Sequence, residues 1–156
     1  MHFFQIDNSC FARRIMLYYE LLLIYCLLEA DTDMKVEMHT HTSETSPCAH
    51  ICAQDVIKMY KEAGYDTVVI TDHYSKWVFE KNGAKTPDEV TSHFLKGYKT
   101  ALGCAETYDI NVLLGCEVTL TESPNDYLLY GVNEDFFHTH PFLYNLSLEE
   151  LSEICH

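Results

Sequence analysis

Thr67-Val68-Val69-Ile70-Thr71-Asp72-His73 is the stretch from which the rest of the chain can be read. Its first five residues are all β-branched, and such side chains favour extended backbone. None of the five is charged, so the strand predicted over 67–71 is buried on both faces, as in a parallel sheet. That strand leads straight into a carboxylate and an imidazole. Upstream, Gln54 to Ala63 carries Val56, Ile57, Met59 and Tyr60 at helical spacing, and Gly64 supplies a left-handed stop. Before that helix, Lys35-Val36-Glu37-Met38 reads as a short strand ending at His39. Downstream, Thr86-Pro87-Asp88-Glu89 starts a helix with a capping hydroxyl, a proline in the first turn and acids at the positive end of the dipole. The helix is predicted to reach about Tyr108. Asn111 to Gly115 and Tyr127 to Gly131 give a third and a fourth strand. Strands alternating with helices predict an α/β fold with a parallel sheet or barrel.

The two ends read differently. Residues 133–146 are expected to begin as loop, through Phe136-Phe137-His138-Thr139-His140-Pro141, before Ser147 caps a last helix with Glu150 completing a capping box. The sequence stops inside that helix with no Gly or Pro after it, which predicts an incomplete domain. Residues 15–28 are apolar apart from Glu20, and shorter than the roughly 20 residues a membrane helix needs. Arg13 and Arg14 before this stretch, and Leu28-Glu29-Ala30 after it, give the outline of a secretory signal, which Glu20 weakens. An added helix is a second reading. Met34 opens a strand-like run directly before the first histidine pair. This favours a domain over 34–156, with residues 1–33 an extension not native to it.

Composition narrows the function. The formal net charge is −14, from 24 acids against 10 bases, which disfavours a nucleic-acid backbone as a general partner. A phosphorylated ligand remains acceptable where metal cations supply positive charge. Seven cysteines without a C-x-x-C pair argue against a zinc ribbon or thioredoxin-like site. Most are expected to be small buried hydrophobes, and unpaired thiols fit a reducing, cytoplasmic setting.

The chemistry lies where the strands end. Alternate residues of a strand share a face, so His39 and His41 can point the same way. Alone, such a pair is weak evidence of a site. His73 follows the second strand, and Gly115-Cys116-Glu117 puts a carboxylate after the third. In parallel α/β architectures these ends share one rim, where sites gather. Imidazoles and a carboxylate converging there suit zinc, manganese or iron. Nothing reads as a phosphate-cradling glycine loop or a nucleophile elbow.

Met34-Lys-Val-Glu-Met-His39-Thr-His41-Thr-Ser resembles the first motif of the PHP (polymerase and histidinol phosphatase) domains, Thr71-Asp72-His73 the second and Gly115-Cys116-Glu117 the third. The resemblance runs from Met34 to about His156. It implies the N-terminal part of a distorted (β/α)7 barrel, incomplete here, with two or three divalent metal ions at its C-terminal face. By the same resemblance, His39 and His41 match ligands of a first metal, Glu117 the carboxylate bridging two, and His73 a ligand of a third. Asp72 would orient the site. One further ligand lies in the loop after the first motif. His50, in Pro47-Cys48-Ala49-His50, is one candidate and Glu44 the other. Asp126, before the fourth strand, is open between metal ligand and turn residue. His140-Pro141 precedes the last helix, whereas the family's His-Pro motif follows a later strand, so it reads as loop together with His138. His93, on the long helix, reads as surface or packing. A later Asp-x-His pair of the family has no counterpart.

The activity implied is hydrolysis of a phosphomonoester in the manner of a histidinol phosphatase. Asp72 and Glu117 serve the reaction, while Lys76 and Lys81, which follow the second motif, read as solvated, with reach to a substrate as the other reading. The alternative is a non-catalytic metal-binding or structural domain, or an inactive remnant. The expected partner is a small phosphorylated molecule, with nucleic acid only as a nucleotide or oligonucleotide end, and no membrane.

Overall fold

The computed structural model describes residues 34–155. The expectations for residues 1–33 lie outside them. The elements are β1 (Val36–Thr40), α1 (Ala53–Glu62), β2 (Thr67–Ile70), β3 (His73–Ser75), α2 (Lys76–Lys81), α3 (Pro87–Tyr108), β4 (Asn111–Leu114), β5 (Cys116–Thr119), β6 (Asp126–Leu129), α4 (Glu134–Thr139), a 3-10 turn (Leu143–Asn145) and α5 (Leu148–Ile154).

Two three-stranded sheets result, ordered β1-β2-β4 and β3-β5-β6. The first is parallel throughout, and β2 is buried at every residue, as its β-branched run predicts. Where the sequence suggests single strands ending at Thr71 and Gly115, the chain instead bends and continues as β3 and β5. The ladder survives the bend: Thr71 N donates to Thr40 O at 2.8 Å, Gly115 N to Ile70 O at 2.8 Å and Glu117 N to Asp72 O at 3.2 Å. Gly115 is required there. A Cβ would lie 2.8 Å from Thr71 Cγ2 and 2.9 Å from Val69 Cγ1, closer than side chains tolerate. A second departure concerns β6, which pairs antiparallel with β5. Among the described residues neither sheet closes on itself.

α3 is the spine. Its Thr86–Glu89 capping box forms as expected, with Asp88 and Glu89 in the first turn. At about 1.5 Å per residue its 22 residues span roughly 33 Å, long enough to serve both sheets. Val90, Phe94 and Leu95 join Tyr74, Phe79, Val118 and Phe137 in one core, while Ala101 joins Ile57, Val68, Ile70 and Val112 in the other. Burying each large apolar side chain contributes about 1.5–3 kcal/mol. The Tyr74 hydroxyl, carried into the first core, is satisfied by donating to Pro141 O at 2.8 Å. Between the two cores lies Gly97, where an added Cβ would run into Thr42 Oγ1 and Asp72 Oδ2.

Two smaller expectations fail. Residues 134–139 are helix, with the Asn133 side chain accepting from Phe136 N, so His138 is helical and His140 forms the cap. The cysteines are not mostly buried: among those described only Cys116 is, and Cys48 and Cys155 are exposed. Leu113, on the β4 face away from α3, stays exposed beside Met38 and Tyr130, whose hydroxyl donates to Met38 O at 3.0 Å. No described helix is long and apolar enough to cross a membrane.

Candidate metal centre

The sheet bend brings the sequence-predicted residues together. His39 lies in β1 and His41 one residue beyond it, and their Nε2 atoms approach to 2.8 Å. His73 and Glu117 face each other across the β3–β5 ladder. They sit inside the second sheet rather than beyond the ends of the first, because the strands bend and continue. Glu117 Oε2 lies 3.0 Å from His73 Nδ1 and 3.2 Å from His41 Nε2, and Oε1 lies 3.7 Å from His39 Nε2. Despite these distances Glu117 Oε2 is buried with no hydrogen-bond partner. Burial, followed by the neighbouring His73 and His39, lowers the His41 pKa to about 4, so that imidazole is neutral at pH 7. Ring nitrogens and a carboxylate therefore crowd around one point, and the buried acceptor left without a partner there costs energy unless a cation occupies the site.

Behind the ligands sits Asp72, which is 1% exposed. It accepts from Thr42 N at 2.7 Å, Thr42 Oγ1 at 2.6 Å and Ser46 Oγ at 2.6 Å. Burial pushes its carboxyl up to about 6, against hydrogen bonds from Ser46 and Thr42 that favour the ionised form. Ser46 Oγ also accepts from His73 N at 2.9 Å and lies 3.3 Å from His41 Nδ1. Asp72 thus holds the 42–46 segment, which in turn fixes both imidazoles. Thr45 completes the anchorage, its hydroxyl donating towards Phe94 O at 3.2 Å and accepting from Gly97 N at 3.3 Å.

The remaining candidates are dispersed. Both Glu44 oxygens accept from Ala53 N at 3.0 Å, at the start of α1 and away from the histidines. His50 is exposed and lines a cavity of about 650 Å³ with His39, His41, Met59 and Tyr60. Asp126 accepts from Thr119 Oγ1 at 2.5 Å and lines a cavity of about 390 Å³ with His73, Lys76 and Trp77. His93 is buried against Phe79, and burial lowers its pKa. Lys81 lies over the Trp77 ring at 4.9 Å.

Two groups of three ligating side chains form among the described residues: His39 with His41 and Glu117, and His41 with Cys48 and His73. Such nitrogen and oxygen donors are those of zinc, manganese and iron sites. Thr42, Ser46 and Cys48 were not singled out by sequence. Their roles depend on a loop closed by Ser43 N donating to Ile51 O at 3.0 Å, which leaves no local signature.

No curated protein matches the chain. The family model of the PHP domain matches residues 37–154, which include His39 and His41 and the whole of the second and third motifs. The chain is therefore a member of the PHP domain family.

Proposed function

We propose that this chain is a metal-dependent phosphoesterase acting on a small phosphomonoester, in the manner of a histidinol phosphatase. The observation that carries the reading is the buried, unpartnered Glu117 oxygen facing the nitrogens of His41 and His73. His39, His41 and Glu117 would hold one divalent ion, and His73, which faces Glu117, would serve a second. Zinc, manganese and iron all suit these donors. Bound divalent ions polarise phosphoryl oxygens and bring the pKa of a bound water to about 7. The protein's own part is positional. Asp72 fixes the 42–46 segment and Ser46 sets the His41 ring, so the donors are placed before any substrate arrives. Lys76, Asp126 and Trp77 line the cavity beside His73 and would meet the group esterified to the phosphate. The net charge of −14 favours a small substrate over a polynucleotide. Cytoplasmic placement accords with the free thiols.

The test is hydrolysis of a generic phosphomonoester by the full chain with Mn²⁺ or Zn²⁺. Activity is expected to depend on added metal and to fall about 100-fold or more in His39→Ala, with unchanged circular dichroism. A well-folded chain that binds metal and hydrolyses nothing would instead support the non-catalytic, structural reading.

A further inference from the structure

The family resemblance leaves the loop ligand between His50, which lines a cavity with His39 and His41, and Glu44. Glu44 is committed with both oxygens to the first free N–H of α1. His50 belongs to neither group of converging ligands among the described residues. Cys48 belongs to one. Its Sγ lies 3.7 Å from His41 Nδ1, and its possible ligand atom and those of His41 and His73 all lie within 4.8 Å of one another.

The backbone explains the substitution. Ser46 is clamped between Asp72 Oδ1 and His73 N, and Ala49 N donates back to Ser46 O at 3.0 Å. The tight turn this closes carries Cys48 over the imidazoles, and two residues later the chain has moved outward, leaving His50 exposed. The thiol is exposed as well, so a metal ion can reach it from solvent.

We propose that Cys48 supplies a thiolate ligand on the loop side of the metal centre, next to His73, where the family pattern suggests an imidazole or carboxylate. The inference rests on the metal-centre reading above. On binding, the thiol proton goes to solvent and sulfur forms the bond to the ion. A neutral imidazole offers one lone pair, so His41 serves either Glu117's ion through Nε2 or the loop-side ion through Nδ1. Sulfur is a ligand of the loop-side ion in both arrangements. A soft donor there selects zinc or cobalt(II) over manganese and magnesium, which prefer oxygen.

Cobalt(II) titration of the full chain tests this without recourse to activity. The expected result is an intense near-ultraviolet sulfur-to-cobalt band alongside the visible d–d bands. In Cys48→Ser the sulfur band should vanish while the visible bands remain, and zinc affinity should fall by at least about 10-fold. His50→Ala and Cys52→Ser should keep the sulfur band. An unmodified-chain measurement guards against a variant that fails to fold. Zinc should slow iodoacetamide alkylation of Cys48 several-fold more than that of Cys52, read by fragment mass spectrometry, and magnesium should not. Visible bands without a sulfur band in the unmodified chain would overturn the thiolate and leave the metal centre standing. No cobalt binding at all would overturn both. A sulfur band surviving in Cys48→Ser, or lost in Cys52→Ser, would assign the ligand elsewhere.

Discussion

Two regions meet at the sheet bend, and they treat their polar atoms in opposite ways. Around Asp72 every donor is answered: three hydrogen bonds of 2.6–2.7 Å converge on one carboxylate, and Thr45 fills the backbone of α3 beside Gly97. Around Glu117, a residue in the next strand pair, three imidazoles crowd one carboxylate and a buried oxygen has no hydrogen-bond partner. The first region gains stability from its polar groups. The second leaves one buried carboxylate oxygen without a hydrogen bond, which a cation could take up. The Asp72 carboxylate is thus used to position the 42–46 segment, while the Glu117 carboxylate keeps an oxygen uncommitted.

The contrast can be broken most forcefully at Gly97. Gly97→Ala would drive a Cβ into Thr42 and Asp72, and a loss of about 3 kcal/mol is expected from overpacking together with disrupted buried hydrogen bonds. Gly103, six residues along the same helix, has open space around it, so Gly103→Ala should stabilise by roughly 0.5–1 kcal/mol. Urea unfolding of the pair measures the difference, and similar effects at both sites would mean that the Asp72 region is not tightly packed.

A pH series on the metal-free protein sharpens the comparison next. His41 falls from 6.5 to about 4 on folding, so its contribution is full above pH 6.5 and is lost as pH drops towards 4. Asp72 rises from 3.8 to about 6, so its contribution is present below pH 3.8 and is lost as pH climbs through 6. Each slope is at most about 1.4 kcal/mol per pH unit, and between about pH 4 and 6 they oppose. Asp72→Asn should therefore gain stability as pH rises across that window, and His41→Gln should lose it. Parallel profiles for the two variants would erase the distinction between the regions.

The smallest effect concerns Glu117. Glu117→Gln replaces an unpartnered carboxylate with a group able to donate, and metal-free stability should hold or rise by up to about 1 kcal/mol. Thermal melts in the presence of a chelator would show it, and zinc should no longer raise the melting temperature. A large destabilisation would place Glu117 among the structural carboxylates with Asp72.

What the sequence disclosed was local. The β-branched run of β2, the Thr86–Glu89 and Ser147–Glu150 boxes and the stop at Gly64 all appear as read, since each depends on residues within a few positions. The histidine pair was legible from strand periodicity, and Glu117 from its place directly after a strand-like run and from the motif it resembles. The bend was not, because Gly115 reads as a strand end until Thr71 and Val69 are seen pressed against it. α4 had its signal in Asn133-Glu134-Asp135, a cap followed by acids, which the aromatic run after it obscured. The choice between Glu44 and His50 was not legible, because the turn through Ser46 that places this loop is held by Asp72, 26 residues further along.

The clasp formed by Thr45 also sets an order of events during synthesis. Its hydroxyl partners are the carbonyl of Phe94 and the amide of Gly97, about fifty residues further along the chain. A nascent chain that has delivered His39, His41 and Cys48 therefore has the donors but not the clasp, and Glu117 comes later still. Long-range closure of this kind is slow relative to helix or turn formation. On the proposed reading of the site, metal captured before α3 leaves the ribosome would meet a loose, non-native set of donors, and loading would follow translation of the first 117 residues.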